Sequence, residues 1–368
     1  MDYKVDILIL TAGFGAGHLS AAIGIKENIQ KKDGGIGIEI TDAFQILIPR
    51  LSKAMYKGYN ILIRKGSRIY NHFHYKDNEK PKSNTSKFSD KYIINRLKNY
   101  IMDINPKLII STFPTISQYL SRLKDKSEIS IPLITCITDV VNGWEWITPN
   151  CDIYFVATKY IKSKMIDMDI EDERIIVTGI PLRKEFLELP RPLTSCYLPK
   201  GHMIIMIMGG GVGLIPNDKA FYHWIDNLNN TTTVVLAGKN EELYESISKL
   251  KLENVIPLRY TDQVPSIMAQ SDLLVSKAGG ITLFEAIASK LPFIVYKPEL
   301  GQEIENSKFI CEESIGDIAL TIEELKFIIT DLTNNKNKID EYKRNLTELR
   351  KNINMNILAE QCIDLLRN

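Results

Sequence analysis

One pattern occurs twice in this chain and limits what it can fold into: an apolar run, a glycine turn, then a helix. Val5–Leu10 runs into the turn Gly13-Phe14-Gly15-Ala16-Gly17-His18, and Leu19–Gln30 follows with helical periodicity. Met203–Met208 runs into Gly209-Gly210-Gly211-Val212-Gly213. Both runs are nearly continuous rather than alternating, as strands are in a sheet covered on both faces. Ile36–Ile40, Leu108–Ser111, Ile131–Thr138 and Ile153–Ala157 extend the first series. Thr233–Leu236, Leu273–Ser276 and Phe293–Tyr296 extend the second, with helical stretches between them. This alternation predicts an α/β fold built on parallel sheets.

A chain of 368 residues is longer than the roughly 250–300 that one core usually holds, so two domains are expected. Pro181, Pro190, Pro192 and Pro199 mark a linker between the two series. The expected boundaries are 1–185, 186–350 and a terminal helix over 351–368 that crosses back toward the first domain. Lys and Arg total 46 against 45 Asp and Glu, a net charge of +1 that argues against a nucleic-acid partner. The five cysteines, Cys136, Cys151, Cys196, Cys311 and Cys362, are widely spaced with no CxxC pair. Neither a zinc site nor a disulfide framework is expected, and a reducing, cytoplasmic setting fits best. The opening MDYKVDILIL carries acids and does not read as a signal peptide. No apolar run reaches the roughly 20 residues that span a bilayer.

The glycine turns carry the chemistry. Glycines let backbone approach a ligand, and the helix that follows offers free N–H groups to an anion. Taken alone, such a turn also reads as a tight strand-to-helix connection. In the first turn, His18 stands where the dinucleotide fingerprint wants its third glycine, which argues against a nicotinamide-dependent oxidoreductase. A helix N-terminus disfavours imidazolium, so His18 can stay neutral and accept a proton; a surface or capping histidine is the plainer alternative. In the second half, Gly210 and Gly211 can cradle a diphosphate. The run Ser276-Lys277-Ala278-Gly279-Gly280-Ile281-Thr282-Leu283-Phe284-Glu285 opens another helix after a strand. Thr282 can cap it or touch a phosphate. Glu285, one turn in, can accept from two ribose hydroxyls or serve as an acid favoured by the helix dipole. Gln302, Glu303 and Asn306, in Gly301-Gln302-Glu303-Ile304-Glu305-Asn306, suit a sugar or an ordinary polar helix start.

Residues 43–76 hold Arg50, Lys53, Lys57, Arg64, Lys65, Arg68 and Lys76 with no Asp or Glu. On a helix, Arg50, Lys53, Lys57, Arg64 and Arg68 fall within about 60° of one another, and Leu51, Met55, Leu62 and Ile69 group roughly 100–140° round. This pattern fits a basic amphipathic helix on an anionic membrane surface, or a helix packed on the sheet with its basic face solvated.

Taken in order, these pieces resemble a known family. GFGAGHLSAA (13–22), STFP (111–114), TD (138–139), DIYFVAT (152–158), VTGIPLR (177–183), GGGVG (209–213), AGKNEEL (237–243), KAGGITLFEA (277–286) and GQEIEN (301–306) resemble the GT-B glycosyltransferases related to monogalactosyldiacylglycerol synthase and bacterial processive diacylglycerol glucosyltransferases. The N-acetylglucosaminyltransferase of peptidoglycan lipid II synthesis is a more distant likeness. The resemblance implies two Rossmann-like domains facing across a cleft, acceptor domain first and nucleotide-sugar domain second. It implies His18 as general base, Glu285 as the ribose-binding acid, Gly279, Gly280 and Thr282 as the diphosphate-binding helix start, and Gln302 with Glu303 and Asn306 as donor-sugar contacts. It adds Gly238 beside the nucleotide and Val264 in the segment that reads uracil.

Two positions depart from the family pattern. Gly143 stands where relatives often carry a histidine after the Thr-Asp pair, although Trp146 keeps the tryptophan position, and Leu300 replaces a frequent proline. The implied reaction is inverting, metal-independent transfer of a hexose from a UDP-sugar to diacylglycerol or a related lipid, with UDP-sugar as substrate and no cofactor. His18 is the base and Asp139 a second carboxylate candidate, or else a strand-end cap. Gly17, Arg50, Lys53, Lys57, Arg64, Arg68 and Trp146 form the acceptor and membrane set, and the protein would work peripherally on the inner face of the membrane. Asp167-Met168-Asp169 is the one conspicuous Asp-x-Asp, and it reads as a solvated turn rather than a metal site. A polyprenyl-linked or small soluble acceptor, or a non-catalytic nucleotide-sugar-binding protein, are the alternatives.

Overall fold

Ile7–Thr11 forms β1, and all five of its side chains are buried. Such a strand can only sit in the middle of a sheet covered on both faces. In this computed structural model, which describes residues 4–65, 88–141, 143–188, 191–210 and 215–367, the chain divides into two units. The first is Met1–Lys184 with Asn352–Asn368, and the second is Glu185–Lys351.

The first unit runs β1, α1 (Gly17–Lys32), β2 (Ile38–Asp42), α2 (Ala43–Leu47), α3 (Pro49–Lys65), α4 (Phe88–Ile104), β3 (Leu108–Ser111), α5 (Pro114–Asp125), β4 (Leu133–Cys136), β5 (Ile153–Val156), α6 (Lys159–Ile166) and β6 (Ile175–Val177). Its strands lie in the order β2-β1-β3-β4-β5-β6, all parallel.

The second unit runs β7 (Met203–Met208), α7 (Lys219–Asp226), β8 (Thr231–Gly238), α8 (Glu241–Ser248), β9 (Val255–Arg259), α9 (Val264–Ala269), β10 (Leu273–Ser276), α10 (Gly280–Ser289), β11 (Phe293–Tyr296), α11 (Gly301–Glu312), β12 (Gly316–Ala319), α12 (Ile322–Asn334) and α13 (Lys336–Arg350). Its order is β12-β11-β10-β7-β8-β9, again all parallel.

Each sheet has one place where the chain reverses its direction of travel across the strands. It falls between β1 and β3 in the first unit and between β7 and β10 in the second. In open parallel sheets this is where the flanking helices change faces and a crevice opens at the carboxyl ends of the strands. The second unit lays β8 and β9 beside β7 before it turns back. The first lays down only β2, and the segment containing α2, α3 and α4 follows before β3.

Of the two terminal helices, α13 stays with the second unit. Ile339, Tyr342 and Leu346 are buried there, and the Tyr342 hydroxyl donates to Asp317 at 2.9 Å. The last helix, α14 (Met355–Arg367), belongs to the first unit. It buries Met355, Leu358, Ala359, Cys362 and Ile363, the Asn354 amide donates to Thr178 at 2.9 Å, and Lys32 of α1 pairs with Glu360. Burying each large aliphatic side chain contributes roughly 1.5–3 kcal/mol.

Candidate active site

His18 is the second residue of α1, just past the carboxyl end of β1, and Gly17 opens the helix. Its Nδ1 lies 2.8 Å from the Thr112 carbonyl oxygen and 3.0 Å from the Thr138 hydroxyl. Thr112 follows β3 and Thr138 follows β4, so turns leaving three adjacent strands converge on one ring. A carbonyl oxygen can only accept, so Nδ1 carries the proton and Nε2 keeps its lone pair. Thr112 is itself held: its amide donates to Leu10 at 3.0 Å, and its hydroxyl lies 2.9 Å from the Thr11 hydroxyl and donates to the His18 carbonyl at 3.2 Å. Phe113 meets the imidazole edge-on at 5.1 Å, and Trp146 lies at 6.4 Å.

His18 is only half-buried by surface area, yet protein surrounds the ring closely. Desolvation pulls its pKa down to about 4, partly opposed by the Thr112 carbonyl. The neutral imidazole expected from the sequence is therefore present, but burial rather than the helix end is its largest cause. Asp139 follows Thr138 and is half-buried. Trp146 is buried in the short 3-10 turn Trp144–Trp146, and Gln118 of α5 donates to the Glu145 carbonyl at 3.0 Å to hold that turn. A Cβ at Gly143 would run into the Glu145 carboxylate. A side chain at 143 would need the Glu145 carboxylate to move aside.

Five aromatic rings gather beside His18. Phe14 of the glycine turn meets Phe44 of α2 at 5.2 Å, Tyr56 and Tyr59 of α3 at 4.9 and 5.2 Å, and Phe113 at 5.4 Å. All five are half-buried. The Tyr56 hydroxyl donates to Asp42 Oδ1 at 2.6 Å, and Asp42 also accepts from the Phe44 amide at 3.1 Å, capping α2. A Cβ on Gly13 would stand 2.8 Å from the Tyr56 ring, so only glycine lets α3 seat this close to the turn.

The inward face of α3 is thus Ser52, Tyr56 and Tyr59, neither of the two faces singled out from the sequence. Arg50, Lys53 and Lys57 are exposed on one flank. Leu51 and Met55 are 60% and 39% exposed on the other. Arg64 lies on α3, but its side chain, like the whole of Arg68, falls outside the described residues.

In the second unit, Gly210 follows β7 with φ of +66°, a conformation that favours glycine. Gly211 falls outside the described residues. Across the reversal point, Ser276 ends β10 and Lys277-Ala278-Gly279 lead to α10. Gly279 is the N-cap and no side chain caps it. Gly280 is buried, Thr282 is partly exposed, and Glu285 is buried on the first turns of α10. Gly238 ends β8 with φ of +60°, and Val264 opens α9, half-buried. Just before it, Gln263 accepts from the Thr194 and Ser195 amides at 3.1 and 2.8 Å.

The 301–306 segment forms the first turns of α11. Its Glu303 is buried and accepts from the Glu299 amide at 3.1 Å and the Lys277 ammonium at 3.4 Å. Asn306 is fully buried and donates to the Ala278 carbonyl at 2.7 Å. These two side chains brace the β10–α10 turn from within the protein, and Gln302 beside them is half-buried.

Asp167 caps the end of α6, and Asp167 and Asp169 are exposed. Among the described residues no group of three His, Cys, Asp or Glu side chains could hold a metal ion. No helix among them is long and apolar enough to cross a membrane.

Several residues of this site escaped the sequence reading. Thr112, Thr138, Phe14, Tyr56, Tyr59 and Asp42 each help to shape it. Thr112 and Thr138 lie in segments, STFP and TD, whose position after strands was the available signal.

Comparison with known proteins places these features. Residues 18–182 match the family model for monogalactosyldiacylglycerol (MGDG) synthase, and residues 205–357 match the glycosyltransferase family 28 C-terminal domain. A processive diacylglycerol beta-glucosyltransferase of Staphylococcus carnosus is 30% identical over 353 residues, covering 94% of this chain and 88% of that protein. Its namesake in Bacillus cereus (strain ATCC 14579) is 33% identical over 324 residues, covering 82% and 79%. The crystal structure of Acinetobacter baumannii MurG superposes with a TM-score of 0.62 at 14% identity, covering 98% of this chain and 99% of that one. An S. aureus MnaA–UDP co-structure gives 0.63 at 12%, covering 98% and 95%. At such identities the structures speak for the fold alone: two Rossmann-like domains, as the motifs implied.

Proposed function

Because this chain belongs to the monogalactosyldiacylglycerol synthase family of glycosyltransferases, we propose that it transfers glucose from UDP-glucose to diacylglycerol, with inversion and without a metal. The observation that carries this reading is the His18 ring, with its Nδ1 proton committed to the Thr112 carbonyl and its Nε2 left as a neutral base. The acceptor hydroxyl gives its proton to Nε2 as its oxygen attacks the anomeric carbon, and UDP departs from the opposite face. General-base help of this kind is worth about 10²–10⁴-fold. The leaving diphosphate gathers negative charge. Backbone amides at Gly279–Gly280 stabilise it, because preorganised donors need no reorganisation during the reaction. Glu285 takes the ribose hydroxyls and Gln302 the donor sugar. Glu303 and Asn306 hold the turn that binds the diphosphate.

The names of the curated relatives support glucose as the sugar. A β-linked product from an α-linked nucleotide-sugar is what inversion yields. In this reading Arg50, Lys53 and Lys57 of α3 rest on anionic headgroups, each contributing about 1 kcal/mol. Leu51 and Met55 enter the interface, and the protein works peripherally on the inner face of the cell membrane.

Labelled UDP-glucose and diacylglycerol vesicles test the proposal, with the lipid product read by mass spectrometry. Glucosyl-diacylglycerol is the expected product, and His18→Ala slows its formation by about 10²–10⁴-fold while UDP still binds. Absence of transfer from UDP-glucose, UDP-galactose and UDP-N-acetylglucosamine alike would sink the reading.

A further inference from the structure

We propose that the five rings around Phe14 are the acceptor subsite: they take the glycerol end and first acyl carbons of a neutral lipid, and Asp42 turns away acceptors that carry a phosphate there. This rests on the reading of His18 as the base. Four separate segments bring Phe14, Phe44, Tyr56, Tyr59 and Phe113 together, and each ring keeps part of its surface open. Each open face forfeits apolar burial that a bound apolar ligand would recover. Phe113 touches Phe14 on one side and the His18 imidazole on the other, so the aromatic surface ends at the base. Its far end is α3, which supplies Tyr56 and Tyr59 inward and the exposed Leu51 and Met55 outward. A lipid leaving an apolar surface at Leu51 and Met55 would find rings leading to Nε2.

The charge at this place selects among lipids. Asp42 hydrogen-bonds the Tyr56 hydroxyl, and its Oδ2 lies 3.2 Å from where a Cβ on Gly13 would stand. A carboxylate there repels a second anion. The exposed cations Arg50, Lys53 and Lys57 lie on the outer flank of the helix, where they face headgroups rather than the acceptor. Diacylglycerol therefore fits the subsite, and a polyprenyl diphosphate does not.

Kinetics of Phe14→Ala and Tyr59→Ala with dispersed diacylglycerol test the subsite. Each raises the acceptor KM by about tenfold or more, leaves the UDP-glucose KM unchanged, and lowers kcat less than KM rises. Tyr59→Phe, which keeps the ring, stays within about threefold of wild type. If the alanine variants lose their folded signal, Phe14→Leu carries the test with a smaller rise of about threefold. An unchanged acceptor KM, or equal losses for donor and acceptor, overturns the proposal. Asp42→Asn keeps an oxygen for Tyr56 but removes the charge, and it raises turnover of phosphatidylglycerol relative to diacylglycerol. An unaltered ratio removes the charge selection. Failure of wild-type protein to glucosylate any lipid would instead refute the parent reading, so the two failures are distinguishable.

Discussion

The carboxyl edges of the two sheets start from the same strand–turn–helix unit and end as different chemical surfaces. At the first, the turns after β1, β3 and β4 close on a neutral imidazole, and a helical insertion covers the edge with aromatic rings. At the second, the turn after β10 presents glycine backbone and an uncapped helix start, braced from behind by Asn306 and Glu303. The contrast follows from topology. The second unit spends its chain on β8 and β9 to one side of β7, and β10 then passes to α10 through only Lys277-Ala278-Gly279. The first lays down β2 alone and returns through α2, α3 and α4, which deliver side chains to the edge. A sheet edge made of backbone suits a ligand that is the same in every turnover, such as a diphosphate. One made of side chains can be fitted to a particular acceptor and its proton.

If the division of labour is real, substitutions at the two edges should separate acceptor chemistry from donor binding. The largest effect is expected from His18→Ala, which lowers kcat by about 10²–10⁴-fold while calorimetry finds UDP affinity unchanged. Comparable loss of UDP binding would erase the contrast. Replacing Arg50, Lys53 and Lys57 together by alanine should weaken binding to anionic vesicles by about 100-fold at low salt. That difference should fade as salt rises, and a salt-independent loss would point to damaged packing instead. Glu285→Ala should raise the donor dissociation constant about tenfold, the cost of leaving ribose hydroxyls without a charged acceptor, with less effect on kcat. Asn306→Ala is the mildest case. It leaves the buried Ala278 carbonyl without its 2.7 Å donor, costs about 1–3 kcal/mol of stability, and shifts the donor KM by about threefold through the loosened turn.

Much of the frame was legible in the sequence because it rests on local signals. Continuous apolar runs marked the buried strands, and glycines marked the turns at both reversal points. The site was legible only where one residue announces itself. His18 stood out because it interrupts a glycine pattern, but its two partners are threonines 94 and 120 residues away in sequence. Register between β1, β3 and β4 brings them together, and no local pattern encodes it. The inward face of α3 was passed over for a related reason. Helical periodicity sorts residues by polarity, yet Tyr56 and Tyr59 turn inward to meet Phe14 and Asp42, partners contributed by other segments. Glu303 and Asn306 read from the sequence either as contacts to a sugar's hydroxyls or as an ordinary polar helix start. Their burial against Glu299, Leu300 and Ala278 is a tertiary fact.

The pH dependence of kcat/KM for diacylglycerol bears most directly on whether a desolvated, neutral imidazole is the base. Protonation removes the Nε2 lone pair, so activity falls on the acid side through the pKa of the free enzyme. Desolvation sets that value at about 4 for His18, against about 6.5 for an unperturbed histidine. The account predicts full activity from neutral pH down through 6.5 and a fall only near 4. A fall centred near 6.5, or an acid limb that persists unchanged in His18→Ala, would contradict it.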